Sequence, residues 1–148
     1  MKQKRFELEV KNRIDNLPVI SDFVDNALTQ FGADPATLMR VQLVVDEACT
    51  NVIKYAYPAE GVGNLKLVLE IVDGTLVVTL TDRGKPFDPN TIPPPDLSSD
   101  VEERRIGGLG VYFMKKVMDE VTYSYDAVYG NRLTMKKELP FEPKNPAQ

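Results

Sequence analysis

Near the start of the chain, Phe6, Leu8 and Val10 alternate with Glu7, Glu9 and Lys11, the period-two pattern of a strand with one buried face. The spacing then changes. Ile20, Phe23, Val24, Ala27, Leu28 and Phe31 recur at helical intervals after Asn16-Leu17-Pro18, and Gly32 follows as a natural helix terminator, which predicts an amphipathic helix. Asp34-Pro35 supplies the cap and first-turn proline of a second helix, carried by Leu38, Val41, Val44, Val45, Ala48, Val52 and Ile53 to about Tyr57, before Pro58. Beyond the Gly61-Val62-Gly63-Asn64 turn, Leu65, Leu67, Leu69 and Ile71 alternate, Asp73-Gly74 marks a hairpin, and Leu76, Val78 and Leu80 alternate again.

Residues 86–106 lose all periodicity and hold Pro86, Pro89, Pro93, Pro94 and Pro95. A loop of that length inside a small domain is functional or disordered. After Gly107-Gly108-Leu109-Gly110, the spacing of Phe113, Met114, Val117, Met118 and Val121 predicts a third helix. Two strands, about 120–128 and 132–139, flank a turn expected at Gly130-Asn131, and residues 140–148 read as a flexible tail. The order β-α-α-β-β-loop-α-β-β implies an α+β two-layer sandwich: one mixed, mainly antiparallel sheet covered on one face by three helices, with residues 1–139 as a single domain. It is not a βαβ nucleotide fold.

Composition narrows the chemistry. The 148 residues include no histidine and one cysteine, Cys49, which excludes Ser-His-Asp and Cys-His triads, a phosphohistidine on this chain, His/Cys zinc sites and an internal disulfide. A net charge of −4 argues against general nucleic-acid binding. No uninterrupted apolar run reaches the ~18 residues of a membrane span, and the basic start at Lys2-Gln3-Lys4-Arg5 leads into no signal-peptide core, so a cytoplasmic location is expected.

Three motifs stand out against this background. On the second helix Glu47 and Asn51 lie four residues apart, hence on one face, where a carboxylate and a carboxamide suit a proton acceptor beside an oxygen ligand for a hard cation. The ordinary alternative is a solvated stripe. Asp82-Arg83-Gly84 leaves a hydrophobic strand, so the Asp can accept from an exocyclic amine while the Gly admits a flat ring; a plain turn has the same pattern. Gly107-Gly108-Leu109-Gly110 opens a helix with free backbone N–H groups suited to phosphate, with Arg104 and Arg105 just upstream, or it is a hinge.

Taken in order, the motifs resemble those of the GHKL ATPase superfamily, named for gyrase, heat-shock chaperone, histidine kinase and MutL-type members. The stretch from Val45 to Tyr57 looks like its N box, Asp82 to Pro89 like its G1 box and Arg105 to Val111 like its G2 box, with wording most similar to the anti-sigma factor serine kinase branch. The resemblance implies the superfamily's histidine-kinase-like ATPase fold, ATP and Mg²⁺ as ligands, and a lid over residues 86–106. It implies Glu47 as the base for a serine hydroxyl, Asn51 as the Mg²⁺ ligand and Lys54 near the phosphates. Asp82 would receive the adenine amino group with Gly84 beside the ring. Gly107, Gly108, Leu109 and Gly110 would face the phosphates, Arg105 would reach the terminal phosphate, and Thr134 would lie near adenine. The expected partners are a sigma factor and an anti-sigma factor antagonist carrying the acceptor serine, with no nucleic acid or membrane and with homodimerisation permitted. The rival expectations are a non-catalytic ATP-gated binding module and a simple ATPase.

Overall fold

The computed structural model of the protein describes residues 4–86, Asp88 and residues 108–139. Strand β1 (Arg5–Lys11) leads through a 3-10 turn (Ile14–Asn16) into helix α1 (Leu17–Phe31) and then α2 (Pro35–Asn51). A π-helical turn (Val52–Ala56) extends α2. The hairpin β2 (Asn64–Val72) and β3 (Thr75–Asp82) follows, and then α3 (Gly108–Val117), β4 (Glu120–Asp126) and β5 (Gly130–Glu138).

The helix boundaries have local causes. Gly32 sits in the left-handed region at φ 83°, and its N–H and that of Ala33 donate to Thr29 O and Leu28 O, satisfying carbonyls that α1 would otherwise leave open. Asp34 is extended, and its Oδ1 accepts from Thr37 N at 3.0 Å, which caps α2 ahead of Pro35.

The strands assemble as β1-β2-β3-β5-β4, antiparallel at all four pairings. Residues opposite one another share a face, so one row runs Leu8, Leu67, Leu80, Leu133, Tyr123 across the sheet. This face meets the helices. Leu67, Leu80 and Met135 pack there against Val24, Leu28, Val41, Val44, Val45 and Met114, all at most 2% exposed. The opposite face is largely polar, with Glu9, Lys66, Thr81, Arg132 and Thr134. No helix among the described residues is long and apolar enough to cross a membrane.

Two expectations are corrected. Gly130-Asn131 is not the turn: Ala127, Val128 and Tyr129 form it, with Asp126 Oδ1 accepting from Val128 N at 2.6 Å and Tyr129 N at 3.0 Å, and Gly130 begins β5. Val121 belongs to β4 and not to the third helix, which ends at Val117. The expected lid, apart from Pro86 and Asp88, and the tail at 140–148 lie outside the described residues.

The order of the last two strands matters. Because the chain crosses by α3 to the sheet edge before returning, β5 lies beside the central β3 and pairs Asn131 with Asp82. Gly130 has φ +84°, and a Cβ there would meet Asp82 O at 2.3 Å. Gly130→Ala is therefore expected to cost about 1–3 kcal/mol, read from urea unfolding, because both the backbone region and the space reject a side chain.

Candidate functional site

The wall of the site comes from α2. Glu47 is half-buried, whereas Asn51 at the end of the α-helix is 8% exposed, and among the described residues its carboxamide has no hydrogen-bond partner. Burial raises the Glu47 pKa above the ordinary 4.5, the neighbouring Asp46 charge adds to the rise, and Lys54 opposes it. An orphaned buried amide is costly, so Asn51 is the kind of group that a ligand or hydrated cation would satisfy. Lys54 is exposed on the π-helical turn. Among the described residues no three His, Cys, Asp or Glu side chains gather to hold a metal. The Cys49 thiol is fully buried and its pKa strongly raised, which removes it as a nucleophile.

Opposite α2, the end of β3 holds Asp82, 7% exposed. Its Oδ1 accepts from Gly84 N at 2.8 Å and from Asn131 Nδ2 at 2.8 Å, while no donor among the described residues reaches its Oδ2. Burial raises the pKa of this carboxyl, and the two hydrogen bonds hold it down in part. A buried acceptor oxygen left open is suited to an amino group.

Asn131 was not singled out by the sequence. Its amide also donates to Lys85 O at 3.0 Å and Gly84 O at 3.1 Å, and Tyr123 OH donates to its Oδ1. One side chain thus binds the loop after β3 to the strand beside it. The readable signal was that Asn131 shares parity with apolar Leu133 and Met135 and therefore faces the core.

Gly84 also has a reason within the fold. A Cβ there would lie 2.3 Å from Ala56 O, and Lys85 N donates to that same oxygen at 2.8 Å. The glycine lets the loop press on the π-helical end of α2. Thr134 is a correction: it pairs with Thr79 and Thr122 and sits on the sheet face away from Asp82, because it is an odd number of residues from Asn131. Gly108, Leu109 and Gly110 do open α3, as expected of a helix N-terminus, whereas Arg104, Arg105 and Gly107 lie outside the described residues.

Between these elements is a cavity of about 40 Å³ lined by Ala48, Asn51, Val52, Asp82, Lys85, Met114, Asn131 and Leu133, among others. That is room for a few waters, far below the ~300 Å³ at which ligand pockets begin.

A family model described as "Histidine kinase-like ATPase domain" matches residues 10–137. The chain belongs to the histidine kinase-like ATPase domain family. Among its relatives is serine-protein kinase RsbW of Staphylococcus aureus (strain MSSA476), 29% identical over 146 residues, 95% of this chain and 91% of the relative. Serine-protein kinase RsbW of Listeria monocytogenes serovar 1/2a is 37% identical over 90 residues, covering 58% of this chain and 57% of that one. The crystal structure of the RsbU and RsbW domains of Rv1364c from Mycobacterium tuberculosis superposes with TM-score 0.63 at 16% identity, over 95% of this chain and 34% of that one. It confirms the α+β fold.

Asp82→Asn keeps an acceptor for both donors and removes a buried charge. Because the folded-state pKa is raised above the ordinary 3.8, the carboxyl destabilises wild type increasingly as pH rises through and above that value. The stability advantage of Asp82→Asn, from urea unfolding between acid and neutral pH, is therefore expected to grow with pH; a flat difference would mean an unperturbed carboxyl.

Proposed function

We propose that the protein is an ATP-dependent protein-serine kinase of a partner-switching system. The observation that carries this reading is the half-buried Glu47, with its raised pKa, one helical turn from the unpartnered amide of Asn51 and across a cavity from Asp82. The family membership and the serine-protein kinase relatives support it.

In this reading Asp82 Oδ2 accepts the adenine amino group. The Asn51 carboxamide oxygen holds Mg²⁺, which neutralises phosphate charge when bound. The backbone N–H groups at Gly107, Gly108, Leu109 and Gly110 face the phosphates, with Lys54 nearby and Arg105 on the terminal phosphate. Glu47 takes the proton of the acceptor serine hydroxyl. As the serine Oγ forms its bond to the γ-phosphorus, the bond from that phosphorus to the bridging oxygen breaks, and ADP leaves. The acceptor is an anti-sigma factor antagonist, and the chain sequesters a sigma factor in the alternate state; it acts in the cytoplasm, with a homodimer as its assembly.

A base must be ionised to act, so transfer is expected to rise with pH through a Glu47 pKa above the ordinary 4.5. Glu47→Gln should lower transfer from labelled ATP to the antagonist by about 10²–10⁴-fold while ATP binding, read by calorimetry, survives. Undiminished transfer would remove Glu47 as the base, and steady phosphate release with no labelled acceptor would make the protein a simple ATPase.

A further inference from the structure

A second concavity, about 580 Å³, is far larger than the cavity beneath α3. It lies on the uncovered face of the sheet, at the end where β1 and β3 finish and β2 and β5 begin. Lys11, Lys66, Arg83 and Arg132 line it; of the two carboxylates in that lining Glu9 faces the groove and Asp82 directs its side chain to the core, while Glu7 stands beside the lining on the same face. Tyr57 and Tyr129 supply its aromatic walls.

Charge sets the class of ligand. The whole chain carries −4, yet four cations line this groove, with Glu9 facing them and Glu7 at its border. Lys66 is shared with Glu7 at 3.8 Å, and Arg83 Nη1 donates to Val128 O at 3.0 Å, whereas the side chains of Lys11 and Arg132 are exposed and have no partner among the described residues. An anion is therefore attracted to both ends of the groove.

Length sets its size. The cations span four neighbouring strands, β1 to β5 by way of β2 and β3; at ~4.8 Å per strand interval the trough is about 14 Å long. A single phosphate cannot meet both ends, but an extended segment of five or more residues at a rise of ~3.3 Å each reaches across. The floor is rigid at its centre, because Tyr57 OH accepts from Arg83 N at 2.8 Å and donates to Asn64 O at 2.6 Å. A preformed floor saves the ordering cost of binding.

We propose that this groove is a docking site for an extended acidic segment of a partner protein. Acidic side chains two apart along the segment face Lys11 and Lys66 at one end and Arg132 at the other, and the tyrosine rings pack against its stems. Asp82 borders both this groove and the cavity on the helical face, so the acidic segment docks back to back with the site of the proposed chemistry without occupying it. The inference needs no nucleotide and stands apart from the kinase reading.

The test uses the full chain and fluorescein-labelled octaglutamate, with octaglutamine and an eight-nucleotide thymidine strand as comparison probes, followed by fluorescence anisotropy at low and high salt. Octaglutamate is expected to bind saturably and to weaken with salt. Lys11→Glu combined with Arg132→Glu should weaken it at least about tenfold, with Lys11→Gln and Arg132→Gln as the milder pair should the reversal impair folding, checked by thermal unfolding. Absence of saturable binding, equal binding of octaglutamine, tighter binding of the thymidine strand, or an affinity unchanged in folded variants would each overturn the proposal.

Discussion

Everything at the site depends on how closely the loop after β3 approaches the end of α2. Lys85 N donates to Ala56 O, and the space that a side chain at Gly84 would need is already taken by the Ala56 backbone. This contact fixes the distance between the helix that carries Glu47 and Asn51 and the strand that carries Asp82. Asn131 then holds the loop from the other side, through Asp82 Oδ1 and the carbonyls of Gly84 and Lys85. A carboxamide with two protons serves three acceptors, so the arrangement is tightly determined, and the buried Asp82 retains one open oxygen at a defined place.

The fold makes this possible through strand order. β3 and β5 are interior strands, covered by helices on one face and hydrogen-bonded on both sides, so Asp82 and Asn131 stand on a stiff platform. Conversely, the π-helical turn at Val52–Ala56 departs from ideal helix geometry where α2 meets that platform. The small cavity between α2, the end of β3 and α3 lies against this platform.

Most of the architecture was legible before the structure. The alternation of Leu65, Leu67 and Leu69, the helical spacing from Ile20 to Phe31, and the Asp34-Pro35 cap report burial and backbone chemistry that neighbouring residues decide. The errors arose at the last hairpin. Reading Gly130-Asn131 as the turn hid the fact that Asn131 lies within a strand, and resemblance then placed Thr134 where parity forbids it. In a strand one residue is a change of face, so a family likeness must yield to the Leu133–Met135 alternation. Gly84 shows a subtler gap: its need for glycine was visible, but the neighbour that imposes it is Ala56, 28 positions away.

By itself the sequence determined the α+β class, the element order, the absence of histidine chemistry, and the placing of Glu47 and Asn51 on one helical face, because these follow from composition and from spacing within a single element. Only the tertiary structure decided that Asn131 and not Thr134 flanks Asp82, that Asn51 lacks a partner among the described residues, and that four cations distant in sequence share one groove. Those facts depend on β5 crossing back beside β3. Pairing between distant segments is set by the packing of the whole sheet, and no local pattern encodes it.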